Sequence, residues 1–219
     1  MKIKKEVLSN ILKQGMLPLF FYEDAEVSLG VTRTLYKAGV RVFEYTNRGR
    51  QALDNFKVLK KAQKKEMPDL NLGIGTIKNV SEAEAFIDAG ADFIVAPTIS
   101  SEVAKTAQKH KLLWIPGCMT PTEIYAAQKH GAELIKIFPA NILGPAFISS
   151  IKELFPGLLF MPSGGVELNP ENISAWFHAG VNAVAMGSKL ISKNVLENRL
   201  YDQLLADTEK ALQLVESAM

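Results

Sequence analysis

Two charged side chains interrupt runs that are otherwise apolar: Lys136 in Leu134-Ile135-Lys136-Ile137-Phe138, and Glu44 in Val42-Phe43-Glu44-Tyr45. A buried ion is costly unless it is paired or neutralised, so charges in such runs point to a partner or a task. Burial disfavours the ammonium form of a lysine, and the neutral amine is a nucleophile. A lysine at a strand end also has a blander use, with its stem packed and its head in water. Spacing gives the two residues a common direction. A small residue or His followed by glycine occurs at Ala38-Gly39, Ala89-Gly90, His130-Gly131 and Ala179-Gly180, where glycine is the usual left-handed helix terminator. Counting from that glycine, Glu44 and Lys136 both fall at offset five, and Thr46, Pro97, Phe138 and Gly187 at offset seven. Strand side chains alternate with period two, so odd offsets share a face when strands start in equivalent registers. An amine nucleophile would then stand beside an acid/base carboxylate.

A third component comes from glycine-rich turns. Pro162-Ser163-Gly164-Gly165 and Met186-Gly187-Ser188 close the last two apolar runs, where barrels commonly bind a phosphate through backbone N–H groups. Tight turning alone also explains them. His110, His130 and His178 show no ligand spacing, so no metal site is expected. Cys118 follows a strand end without an evident base and reads as a packed thiol. Gly73-Ile74-Gly75-Thr76 lacks the third glycine and the helix of a dinucleotide fingerprint, so a nicotinamide cofactor is discounted.

The elements that must hold these residues are regular. Near-continuously apolar runs occupy 17–22, 40–46, 70–76, 92–97, 112–117, 133–139, 158–162 and 183–188, the pattern of parallel strands covered by helices. Each gap is long enough for a crossover helix. Thr120-Pro121-Thr122-Glu123 is a capping box with proline at the first helical position, and Asn169-Pro170-Glu171 starts a helix similarly. Strand-then-helix units repeated over 219 residues predict a (β/α)8 TIM barrel with an N-terminal helix, forming a single domain over residues 1–219. An open doubly wound sheet is the alternative. The basic run 57–65 (KVLKKAQKK) is expected to be the solvated face of a helix. A net charge of +2, from 25 Lys plus Arg against 23 Asp plus Glu, gives no electrostatic case for nucleic acid or a membrane surface. One cysteine fits a reducing compartment, and no apolar run approaches the roughly 18 residues needed to span a bilayer. A cytoplasmic protein is expected.

With those elements in place, the motifs become recognisable. Glu44-Tyr45-Thr46-Asn47-Arg48, Gly73-Ile74-Gly75-Thr76, Ile115-Pro116-Gly117 with Thr120-Pro121-Thr122-Glu123, Lys136-Ile137-Phe138-Pro139 and Pro162-Ser163-Gly164-Gly165-Val166 resemble the 2-dehydro-3-deoxy-6-phosphogluconate (KDPG) and 4-hydroxy-2-oxoglutarate (KHG) aldolases, in the same order over nearly the whole chain. The resemblance implies a metal-independent, cofactor-free class I aldolase, commonly a homotrimer, acting on a small 2-oxo acid. It makes Lys136 the Schiff-base lysine and Glu44 the carboxylate that shuttles protons through water. It implies that Arg48 and Thr76 meet the pyruvyl carboxylate, that Phe138 packs beside the imine and that Pro97 lines the pocket. Ser163, Gly164, Gly165, Gly187 and Ser188 would form the phosphate turns. Ser163 replaces the usual threonine, Asn47 stands where an apolar residue is expected, and Phe21 or Tyr22 stands where some relatives carry a basic residue. The implied reaction yields pyruvate and glyceraldehyde 3-phosphate, as in the Entner–Doudoroff pathway, with KHG a further substrate. The galactonate-type substrate, a phosphosugar isomerase or synthase barrel, and an inactive phosphate-binding barrel are the competing readings.

Overall fold

A computed structural model describes residues 4–219 of the chain. Helix α1 (Lys4–Gln14) leads into strand β1 (Met16–Phe20), and strands then alternate with helices: α2 (Ala25–Lys37), β2 (Val42–Thr46), α3 (Ala52–Glu66), β3 (Asn71–Gly75), α4 (Val80–Asp88), β4 (Phe93–Val95) and α5 (Ser101–Lys109). Next come β5 (Leu113–Ile115), β6 (Gly117–Cys118), α6 (Pro121–Lys129), β7 (Leu134–Ile137), α7 (Ala140–Ile151), β8 (Leu159–Pro162), α8 (Pro170–Ala179), β9 (Val184–Met186), α9 (Lys193–Asn198) and α10 (Tyr201–Ala218). Among the described residues, no helix is long and apolar enough to cross a membrane.

Each apolar run of the sequence overlaps a strand, and the run at 112–117 is divided. Pro116 separates β5 from β6 because it offers no N–H to a ladder. The strands form a curled parallel sheet in two ladders, β5-β4-β3-β2-β1-β9 and β6-β7-β8. A parallel bridge between Ser163 and Ala185, and the Asn182 N–H donating to the Phe160 carbonyl at 2.9 Å, link β8 to β9. On the other side the Lys136 N–H donates to the Pro116 carbonyl at 2.9 Å.

Both faces of the sheet are covered, which is why its strands read as unbroken apolar runs. Alternate residues Leu17, Leu19, Val42, Phe93, Val95, Leu113, Ile115, Leu134, Met161, Ala183 and Ala185 form an inner cluster, joined by Val7, Leu8 and Ile11 of α1. The residues between them, such as Phe43, Tyr45, Ile94, Ile135 and Ile137, pack outward with the helices. Helix α1 therefore lies under the N-terminal ends of the strands. Gln14 fixes it there: its amide donates to the Met16 and Val42 carbonyls and accepts from the Arg41 and Val42 N–H groups.

Helix starts follow the sequence signals. Thr120 and Glu123 make the reciprocal capping box of α6, and Asn169 caps α8 with Pro170 at its first position. The basic run on α3 needs a correction. Lys57, Lys61, Lys64 and Lys65 are exposed, but Lys60 is only 5% exposed and bonds Asp92 at 2.9 Å. Asp92 also accepts from the Leu72 N–H at 2.8 Å. Helical periodicity turns one lysine of the run toward the sheet, where a carboxylate meets it.

Candidate active site

Glu44 sits in β2 and Lys136 in β7, 1% and 5% exposed respectively. Val42 and Leu134, two residues earlier on each strand, belong to the inner cluster, so period-two alternation turns both charged side chains inward. The remaining offset-five positions, Val95 and Ala185, are in the same cluster.

Glycines make the space. In the parallel ladders Glu44 pairs with Gly73, Thr46 with Gly75, and Lys136 with Gly117. The ring of Phe93 fills the room beside Gly73. A Cβ at Gly75 would collide with the Glu44 carboxyl group, so that group leans along the strand to the level of Thr46. A Cβ at Gly117 would meet the Pro97 carbonyl oxygen, which brings the end of β4 beside the Lys136 strand.

Burial sets the two groups apart from ordinary surface ions. Burial pushes the Glu44 carboxyl above the usual carboxylate range, and Lys136 and then Arg48 pull it part of the way back. Its Oε2 has no hydrogen-bond partner among the described residues. Lys136 forms no salt bridge among them either, and its Nζ lies 5.1 Å from the Phe138 ring centroid. Such a pair can cycle protons beside an amine.

The other expected residues gather at the C-terminal ends of the strands. Arg48 is exposed just after β2, while Thr76, Pro97 and Phe138 are half-buried after β3, β4 and β7. Thr76 has φ of 62°, a left-handed conformation that a β-branched residue rarely adopts and that marks a held position. Ser163 is buried, and Gly164 and Gly165 follow it at φ of 91° and 76°. The bridge from Ser163 to Ala185 puts this turn beside Gly187 and Ser188. The loop after β1 is anchored too: the Tyr22 carbonyl accepts from Ser28 Oγ at 3.1 Å, Tyr45 OH at 2.9 Å and Asn55 Nδ2 at 3.1 Å. The Phe21 ring packs over Gly49, next to Arg48.

Three features were not read as site features from the sequence. Gly75 gives clearance to Glu44, the buried Thr46 hydroxyl has no partner among the described residues, and Asn141 packs against Gly164 and Gly165. Alternation along β2 marks Thr46 as facing the Glu44 side, whereas no local signal sets Asn141 against a turn that follows a later strand. Cys118 is buried, and burial with Glu123 nearby pushes its thiol up to about 12, so it stays protonated. Among the described residues no group of His, Cys, Asp or Glu suited to a metal gathers. A groove of about 810 Å³ opens elsewhere, along α1 and the end of α10, between Glu6, Lys13, Arg41, Asp69, Glu216 and Met219. Arg41 and Asp69 there are paired at 2.7 Å. Parallel α/β sheets place their chemistry at the C-terminal strand ends, where the unpartnered Glu44 oxygen and the glycine turns lie.

The family model for KDPG and KHG aldolase matches residues 7–206. The 2-dehydro-3-deoxy-phosphogluconate aldolase of Treponema pallidum is 30% identical over 202 residues, covering 91% of this chain and 93% of its own. The KHG/KDPG aldolase of Escherichia coli is 29% identical over 220 residues, covering 100% and 99%. A crystal structure of a 4-hydroxy-2-oxoglutarate/2-dehydro-3-deoxyphosphogluconate aldolase superposes with a TM-score of 0.82 at 32% identity, over 95% of this chain and 98% of that one.

Proposed function

The chain belongs to the KDPG and KHG aldolase family, and from that premise we propose that it cleaves KDPG to pyruvate and glyceraldehyde 3-phosphate through a Schiff base on Lys136. It is an aldolase, a carbon–carbon lyase acting on a small 2-oxo acid. The observation that carries the mechanism is the inward pair: a buried amine and a buried carboxyl facing one interior, without a salt bridge to hold them among the described residues.

In this reading the Lys136 amine adds to the C2 ketone, and the carbinolamine loses water as Glu44 supplies the proton. The protonated imine is an electron sink. Glu44, through water, takes the proton of the 4-hydroxyl, and the bond between carbons three and four breaks. Its electron pair forms a neutral enamine, and glyceraldehyde 3-phosphate departs. Protonation of carbon three and hydrolysis release pyruvate and restore the amine. A carboxyl raised by burial is suited to giving and taking protons. Arg48 and Thr76 hold the pyruvyl carboxylate, Phe138 packs beside the imine, and Pro97 lines the pocket. Ser163, Gly164, Gly165, Gly187 and Ser188 receive the phosphate through hydroxyl and backbone N–H groups.

The same reading takes the two ladders as one closed (β/α)8 barrel in a single domain over 1–219. The Ser163–Ala185 bridge and the Lys136–Pro116 hydrogen bond support that closure. A homotrimer in the cytoplasm completes it, with the exposed Tyr125, Ile142 and Leu154 supplying apolar surface for contact between copies. KHG and the galactonate-type phosphate are further substrates to test. The experiment is incubation with pyruvate and borohydride followed by mass mapping of the adduct. Reduction is expected to fix pyruvate on Lys136, and labelling of another lysine in active protein would overturn the assignment.

A further inference from the structure

Thr46 is fully buried at the end of β2, and its hydroxyl makes no hydrogen bond among the described residues. A valine would fill the same β-branched volume without leaving a buried polar atom unpaired, so the hydroxyl itself calls for an explanation. Its surroundings supply one. Thr46 pairs with Gly75 on the adjoining strand, and the Glu44 carboxyl group leans over Gly75, so the carboxyl reaches the level of Thr46, two residues further along β2 and on the same face. Glu44 Oε2 is also buried and unpartnered, and the two atoms do not bond each other. Two unpaired polar atoms on one face of β2 that do not bond each other suit a molecule that both donates and accepts. Lys136, turned into the same interior, has donors to spare.

We propose that Thr46 is a positioning residue, whose hydroxyl and Glu44 Oε2 together hold the water through which Glu44 exchanges protons with the substrate. The inference rests on the Schiff-base reading above. In the enolisation of bound pyruvate, the water takes a proton from the methyl carbon of the iminium ion as it passes one to the Glu44 carboxylate. The iminium becomes a neutral enamine, the carboxylate becomes a carboxylic acid, and the water is regenerated. The charged groups facing Glu44 are Lys136 from β7 and Arg48 from the loop after β2. Thr46 adds a neutral donor and acceptor that orients the water.

The test compares wild type, Thr46→Val and Thr46→Ser in three assays: borohydride trapping of pyruvate, exchange of the pyruvate methyl protons in D2O, and KDPG cleavage. Thr46→Val is expected to trap pyruvate on Lys136 to the wild-type extent while exchange and kcat fall about 10- to 100-fold and KM stays nearly constant. The acid limb of its exchange profile should move to higher pH, because the ionised Glu44 has lost a hydrogen-bonded water. Thr46→Ser should stay close to wild type, which a role in packing alone would not produce. Wild-type exchange in Thr46→Val, or an equal loss in Thr46→Ser, would overturn the proposal. So would intact exchange with only cleavage impaired, since the hydroxyl would then serve the substrate and not the water. If wild type neither traps nor exchanges pyruvate, the Schiff-base reading falls with it.

Discussion

Glu44 combines a stability cost with the acid/base use proposed for it, and the two can be measured separately. Its carboxyl is raised by burial, so between the ordinary carboxylate value and the folded one the native state binds more protons than the unfolded chain. Stability contributed by the protonated form is complete below the unfolded value and is lost as pH rises through the folded value. Glu44→Gln should therefore raise the unfolding midpoint at pH 7, with the advantage vanishing in acid; thermal unfolding at several pH values checks this. The same variant should still trap pyruvate while turnover falls about 10²- to 10⁴-fold, since an amide cannot cycle a proton. Gly75→Ala probes position alone. Its new methyl would occupy the place of the Glu44 carboxyl, the far end of a flexible side chain, so the fold should survive. A displaced carboxyl should cost kcat about 10²-fold, and near-wild-type turnover would mean that the carboxyl needs no fixed place.

Between strand and helix, one buried ion pair joins α3 to the start of β4. Lys60 and Asp92 are both shielded from water, and Asp92 further accepts from the Leu72 N–H, so the carboxylate has several partners to lose. Lys60→Met would leave Asp92 buried without its cation and should cost about 3–5 kcal/mol, read from urea unfolding. Activity per folded molecule should be unchanged, because neither residue faces the inner cluster that holds Glu44 and Lys136. A stability loss well under 1 kcal/mol would mean that water reaches Asp92. The capping box of α6, the Asn169 cap of α8 and the Tyr22 carbonyl anchor act at this same scale, fixing where helices begin and where the first loop lies.

Across the whole molecule, the site depends on ends of strands that are distant in sequence. The phosphate reading requires the turns after β8 and β9 to act together, as the Ser163–Ala185 bridge allows. KDPG should then be cleaved with a higher kcat/KM than KHG, which lacks the phosphate, and the advantage should extend to kcat where remote binding orients the reacting bond. Gly165→Val should erode the KDPG value selectively. A Cβ at Gly165 stands 2.9 Å from Asn141 Cα on a backbone with φ of 76°, so the ratio of the two substrates in one preparation is the measurement to use. Equal losses would mean that the glycines only turn the chain.

The order of strands and helices, the helix caps and the inward direction of Glu44 and Lys136 were legible in the sequence, because period-two alternation and capping depend on near neighbours. Offset counting from the helix-ending glycines works for the same reason: each strand begins at a similar distance from its glycine. The sequence did not separate Lys60 from the solvated lysines around it, since only Asp92 on another element makes that burial tolerable. Nor did it mark Gly75 as clearance for Glu44, because that follows from the register of β2 against β3; alternation put Thr46 on the Glu44 face, but not the lean of the carboxyl to its level. Residue types and local periods were enough to nominate the amine and the acid. Only the curl of the sheet, a matter of long-range pairing, decided that they share one interior and that each keeps the space the proposed chemistry needs.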